Sequence, residues 1–172
     1  KPMAIGGVHV SNDVERILDD IECASIAFLR EADVSFVRFL EVVNGKAVPD
    51  TLAQTILRDA SGKRYRFAAE ARPGTQVIDI LPAYDLIDVG EYAAQGTIGA
   101  FYCFKPEGTK FATVLSNRGC RAQCTFCSVR NFNGMGVRQR SISSVVDELE
   151  LLKNEHGIGH VSPQSPHPLP TP

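Results

Sequence analysis

Cys120-Arg121-Ala122-Gln123-Cys124-Thr125-Phe126-Cys127 is the stretch around which this chain is organised. Its Cys-x3-Cys-x2-Cys spacing lets three of the five cysteines bring their thiols onto one small object, and a metal centre is the obvious one. No fourth ligand lies close by, since Cys103 sits upstream across the preceding strand and Cys23 is elsewhere in the chain. A closed structural zinc site takes four ligands, whereas a four-iron cluster held by three thiolates keeps one iron open for chemistry. The alternative is half of a zinc ribbon built on Cys124 and Cys127, which needs a second ligand pair. Among His9, His156, His160 and His167, only His156 and His160 have ligand spacing. That pair more simply ends a helix and begins a strand.

The stretch sits in a chain of 172 residues, 44% hydrophobic and 22% charged, enough for one modest domain or pieces of two. A net charge of -2 and a pI near 6.1 give no electrostatic reason to expect nucleic acid or an anionic membrane surface. No apolar run reaches the roughly 18 residues of a membrane span, and no signal-peptide pattern opens the chain. An odd number of cysteines, three of them clustered, fits reduced thiols in a cytoplasm rather than a disulfide framework.

Lys1-Pro2-Met3-Ala4-Ile5 reads as the end of a buried strand entering Gly6-Gly7, so the chain is expected to continue upstream. Val14, Ile17, Leu18 and Ile21 recur at helical spacing, with Asn12 and Glu15 in the form of a capping box. A strand over Ala24 to Leu29 follows, then a helix with Phe36, Val37, Leu40 and Val43 on one face, closing at Gly45. The alternation marks a doubly wound α/β layer, whose ligands bind at the carboxyl ends of the strands, where Gly6-Gly7 sits. A tight strand-to-helix turn explains the two glycines equally well.

Thr55 to Phe67 reads as a hairpin about an Asp59-Ala60-Ser61-Gly62 turn, with Arg58, Arg64 and Arg66 on its solvated face. Phe111 to Leu115 is a short strand running straight into Asn117-Arg118-Gly119-Cys120. A loop after a strand's carboxyl end lies on the face where parallel (β/α) barrels collect their active sites. Gly134 and Gly136 make the following loop pliable, and Arg138 and Arg140 can meet a carboxylate or phosphate or stand exposed. Ser141 or Ser144 caps a helix with Ile142, Val145, Val146, Leu149 and Leu152 as its apolar face. Asp147, Glu148 and Glu150 suit the helix dipole, Ser144 and Asp147 have capping-box spacing, and Gly157 ends the helix. Beyond Val161, five of the final ten residues are proline, which excludes a central strand. A truncated or frame-shifted end is the expectation there, with a proline-rich docking tail as the alternative.

Cys120-x3-Cys124-x2-Cys127, with Phe126 before the third cysteine and Arg118-Gly119 before the first, resembles the cluster loop of the radical S-adenosylmethionine (SAM) enzymes. The resemblance implies that the open iron of a 4Fe-4S cluster is chelated by the amino and carboxylate groups of SAM. An electron from the reduced cluster then cleaves the sulfonium to a 5'-deoxyadenosyl radical. Cys120, Cys124 and Cys127 would be the metal ligands, and Phe126 would lie against the adenine.

Ile5-Gly6-Gly7-Val8-His9 is similar to the last segment of the cobalamin-binding domain that precedes many of these enzymes, where paired glycines admit the cofactor's nucleotide tail. That domain's Asp-x-His-x-x-Gly motif is absent here, so His9 is not a cobalt ligand. Where the family has an Arg-Gly-Glu-Gly-Glu loop, this chain has Arg30-Glu31-Ala32-Asp33 without the glycines. Ile78 to Leu86 resembles the connector ahead of the radical domain, its acids read as structural.

The resemblance therefore implies an α/β chain truncated at both ends. Residues 1–48 would be the C-terminal part of a doubly wound, Rossmann-like cobalamin-binding domain, and 49–109 a hairpin and linker. Residues 110–161 would open a partial (β/α) radical SAM barrel, ahead of an aberrant tail at 162–172. The implied cofactors are a 4Fe-4S cluster, SAM and cobalamin. The implied partners are a small-molecule substrate and an electron donor such as ferredoxin or flavodoxin, and the implied reaction is methyl transfer or cyclisation. No catalytic side chain is assigned. A zinc-binding module and an inactive fragment are the competing expectations.

Overall fold

In the computed structural model, which describes residues 2–95 and 108–164, the short apolar run Met3–Ile5 is β1. Gly6-Gly7 turns it into α1 (Val8–Asn12), followed by α2 (Val14–Asp20), β2 (Ala24–Phe28), α3 (Asp33–Val43), β3 (Thr55–Arg58) and β4 (Arg64–Phe67). Next come α4 (Thr75–Ile78), α5 (Val89–Gln95), β5 (Phe111–Leu115), β6 (Asn117–Cys120), α6 (Val129–Asn133), β7 (Gly136–Gln139), α7 (Ile142–His156) and β8 (His160–Gln164). Cys103 and residues 165–172 of the proline-rich end lie outside the described residues. The chain divides into two units, Lys1–Gly74 with Gly119–Gly136, and Thr75–Arg118 with Val137–Pro172.

In the first unit the strands form one sheet in the order β1-β2-β3-β4. β1 lies parallel to β2, as a doubly wound layer requires, while the expected hairpin β3–β4 adds to the same sheet antiparallel to β2. Leu18, Ala24, Ala27 and Ile56 are almost wholly buried at its core, with Val10, Val14 and Ile17 on the helical side. The helix expected from Val14 onward forms as α2, with an unexpected short helix, α1, ahead of it and Asp13, at φ -143°, between the two. Asn12 closes α1 instead of capping the next helix. The expected box fails because Glu15 is engaged elsewhere, accepting hydrogen bonds from Arg64 and Arg66 of β4 that hold its carboxyl below the usual range. These arginines, expected on a solvated face, thus pair with α2. Arg58 donates to the carbonyls of Ile21 (3.3 Å) and Glu22 (2.9 Å), groups that the end of α2 leaves without helical partners. On α3 the stripe Phe36, Val37, Leu40 and Val43 stands exposed.

The second unit is built on β5 and β8, which pair in parallel from Phe111 opposite His160 to Leu115 opposite Gln164. Its core joins Val114 of β5, Leu152 of α7, Ile158, and Val89 and Ala93 of α5. β8 runs through Pro163 to Gln164, beyond the expected break at Val161. Among the described residues β8 has β5 on one side only, and an edge strand tolerates the missing proline N–H.

Ser141 caps α7 by accepting from the Ser144 N–H at 3.2 Å, and Gly157 closes the helix in the left-handed region at φ 65°. The Ser144–Asp147 box does not form, since the Ser144 hydroxyl donates to the Asp79 carbonyl at 2.8 Å. Asp79 in turn accepts from the Ser141 N–H at 2.8 Å, a structural task for a connector acid.

Glu148, expected only to suit the helix dipole, is 2% exposed and accepts from Arg140 and, at 2.6 Å, from the Tyr84 hydroxyl. Burial, and then the Glu148 hydrogen bond, push the Tyr84 phenol well above its ordinary value. A phenol that ionises later in the folded chain contributes stability that is full below the unfolded value near pH 10 and is lost as pH rises through the folded one. We therefore expect the stability difference between the parent chain and Tyr84→Phe, read from urea midpoints, to shrink steadily from pH 9 to pH 11. A constant difference would contradict this.

Candidate metal centre

β6 carries Asn117-Arg118-Gly119 into Cys120, which closes on Met135 in a parallel bridge, so the cysteine loop leaves and returns at one neck. The neck depends on Gly119. Its φ is 90°, and a methyl group built on it would lie 2.3 Å from the Gly136 carbonyl oxygen. Gly119→Ala is accordingly expected to destabilise the first unit by at least about 2 kcal/mol and to loosen the loop. Thermal unfolding and the rate at which maleimide labels Cys120 measure the two effects.

Inside the loop, the Cys127 N–H donates to the Cys124 carbonyl at 3.2 Å, folding both cysteines into one turn. Their side chains are exposed, whereas Cys120 is half-buried at the neck. Phe126, between the exposed pair, is 91% exposed. α6 follows at once and ends at Gly134, φ 78°. Among the described residues, no three Cys, His, Asp or Glu side chains stand close enough together to hold a metal ion. The structure thus brings Cys124 and Cys127 onto one turn and Cys120 to the base of their loop, without gathering the thiols into a ligand set. Thiolates gather as they bind, because deprotonation, metal binding and local ordering are coupled. Three soft sulfur donors on one short loop, two of them solvent-accessible, suit an iron–sulfur cluster by ligand chemistry.

Gly6-Gly7 lies in the same unit. Gly7, at φ 99°, opens α1, and its carbonyl accepts from the N–H (3.0 Å) and the hydroxyl (2.7 Å) of Ser11. α1 packs against α6, so the glycine turn and the cysteine loop are linked through a helix pair. Beside α6 lies a cavity of about 400 Å³ lined by Arg30, Glu31, Gln54, Arg72, Arg130 and Asn133 among others. Arg30 (φ 59°) and Gln54 (φ 49°), both of its wall, have the positive φ that non-glycine residues rarely adopt. Glu31, 5% exposed, accepts from the Asn133 amide and so joins the Arg30-Glu31-Ala32-Asp33 stretch to the end of α6. Sequence reasoning passed over Arg72, Asn133 and Gln54, because nothing in the local pattern signals a contact across the fold.

No protein-family model matches the chain. In sequence it is 27% identical to cytidylyl-2-hydroxyethylphosphonate methyltransferase of Streptomyces wedmorensis, over 90% of this chain and 32% of that protein. It is 26% identical to the anaerobic magnesium-protoporphyrin IX monomethyl ester cyclase of Cereibacter sphaeroides, over 90% of this chain and 24% of that one. The chain thus spans about a third or less of the length of these relatives. In fold it is similar to TsrM of Kitasatospora setae, a radical SAM methyltransferase solved with cobalamin and a 4Fe-4S cluster, and with tryptophan and a SAM analogue. The TM-score in the latter complex is 0.67 at 17% identity, over 95% of this chain and 30% of that one. It also resembles OxsB, a cobalamin-dependent SAM radical enzyme bound to aqua-cobalamin and SAM, with TM-score 0.59 and 16% identity, over 97% of this chain and 22% of that one. The resemblance read from the cysteine loop is therefore borne out: the chain is related in sequence to a methyltransferase and a cyclase, and in fold to cobalamin-dependent radical SAM enzymes.

Proposed function

We propose that this chain carries the cluster loop of a radical SAM enzyme, with Cys120, Cys124 and Cys127 holding a 4Fe-4S cluster. The observation that carries the reading is the Cys-x3-Cys-x2-Cys loop, closed at a neck and presenting two exposed thiols on one turn, in a chain whose fold is similar to part of TsrM. When bound, such a cluster supplies the electron that cleaves the sulfonium of SAM. Cys120 anchors the loop at its base, while Cys124 and Cys127 present their sulfurs outward. Phe126 stands ready to cover the adenine of SAM. Gly6 and Gly7 lack side chains where cobalamin would approach the start of α1.

On this reading residues 1–48 close a cobalamin-binding domain whose sheet the β3–β4 hairpin extends, the rest of 49–109 connects, and a (β/α) barrel begins at 110 and includes β8. The protein acts on a small molecule by methyl transfer or cyclisation, in the cytoplasm, with ferredoxin or flavodoxin as electron donor. Among the described residues no helix is long and apolar enough to cross a membrane.

Anaerobic reconstitution with ferrous iron and sulfide tests the reading. The expected product is brown, holds about four irons per chain, and gives an electron paramagnetic resonance signal when reduced with dithionite. A colourless protein that retains zinc, or thiols equally reactive before and after reconstitution, would replace the reading with a zinc module or an unligated fragment.

A further inference from the structure

Arg72 lies far from the cysteine loop in sequence and touches both of its ends in space. A methyl group built on Gly134 would meet the Arg72 guanidinium at 3.2 Å from Cζ, and one on Gly119 would lie 3.6 Å from Nη2. The guanidinium therefore lies over the space that the missing side chain of Gly134 leaves open and within ordinary contact range of Gly119, at the point where the loop departs and returns. Its Nη2 is within about 9 Å of the Cys120 Cα, one residue beyond Gly119. A delocalised, weakly hydrated cation that packs its plane on backbone is suited to this place, and its charge does not titrate.

Resting on the proposed cluster, we infer that Arg72 is a positioning residue for the metal loop, which clamps its neck and whose fixed positive charge favours the reduced state. Three thiolates concentrate negative charge on the loop, and each electron taken up adds another. Arg72 is exposed, but a cation held at the protein surface beside the loop still acts through a medium less polarisable than bulk water. Gly134 leaves room for this contact, since a Cβ there would crowd the guanidinium.

The test compares the full chain with Arg72→Met, which keeps bulk and removes charge, and Arg72→Lys, which keeps charge and loses the planar fork. All are reconstituted with ferrous iron and sulfide. Iron content reads the clamp, and a dithionite titration followed by electron paramagnetic resonance reads the charge. In Arg72→Met we expect the ratio of reduced to oxidised cluster at a fixed potential to fall about tenfold, a shift of about 59 mV for one electron. Arg72→Lys should recover most of that ratio while binding less iron than the parent. Should Arg72→Met lose the circular dichroism of the folded chain, Arg72→Gln takes its place with the same expectation. An unchanged ratio in the uncharged variant, or an equal fall in Arg72→Lys, overturns the role of the charge and leaves the cluster reading standing. A parent chain that assembles no cluster overturns both.

Discussion

Replacing Cys124 by serine is expected to prevent assembly of the proposed 4Fe-4S cluster. Serine offers a hard, protonated hydroxyl where iron requires a soft thiolate, and the loss of one of three ligands leaves two sulfurs on an eight-residue stretch. Changing the outer partners of metal ligands commonly costs 10–100-fold in affinity, so loss of a ligand should lower iron retention by at least about 100-fold. Cys120→Ser and Cys127→Ser should behave alike. Cys23→Ser is the control, because Cys23 is exposed and lies outside the loop, its thiol 3.6 Å from the Met3 sulfur. Iron and sulfide analysis with the visible spectrum distinguishes the variants. Full cluster content in Cys124→Ser would remove the ligand assignment, and equal loss in Cys23→Ser would show that the effect is not specific to the loop.

The second large effect belongs to stability. Arg140→Ala should destabilise the second unit by about 3–5 kcal/mol, because it leaves the Glu148 carboxylate buried with only part of its hydrogen bonding. The Arg140 side chain is 5% exposed and that of Glu148 2%, and Arg140 also donates to the Leu115 carbonyl at 3.1 Å and the Ser144 hydroxyl at 2.7 Å. Tyr84 cannot compensate, since it supplies a single O–H. Replacing both partners, as in Arg140→Met with Glu148→Leu, should restore much of the loss, because an apolar pair removes the uncompensated charge. Urea denaturation of the two single variants and the double variant gives the coupling. Additive losses would show that the two groups act separately. The pair holds α7 to the end of β5, one residue before β6 leads into the cysteine loop.

The burial of Glu148 shows where periodicity stops. The α7 pattern placed Ile142, Val145, Val146, Leu149 and Leu152 on one apolar face; Leu152 is fully buried, whereas Ile142 and Val146 stand exposed. Glu148 lies on the same side, and only the arrival of Arg140 and Tyr84 from other segments makes that tolerable. Likewise, Asn12 and Glu15 had the spacing of a cap, yet two arginines of β4 claimed the Glu15 carboxylate. A charged partner from a neighbouring strand outcompetes a local cap, and no local window contains it.

By itself, the sequence determined what is local: the cysteine spacing and its ligand chemistry, the turn at Asp59 to Gly62, the αL stop at Gly157, and the alternation of strand and helix. These depend on backbone preference and on residues a few positions apart. Tertiary structure alone decided that β3–β4 extends the β1–β2 sheet, that the Cys120 neck closes on Met135, and that Arg72 packs over Gly119 and Gly134. Each is a contact between segments distant along the chain, selected by the burial and charge pairing of the whole fold, whose free energy belongs to neither segment taken singly.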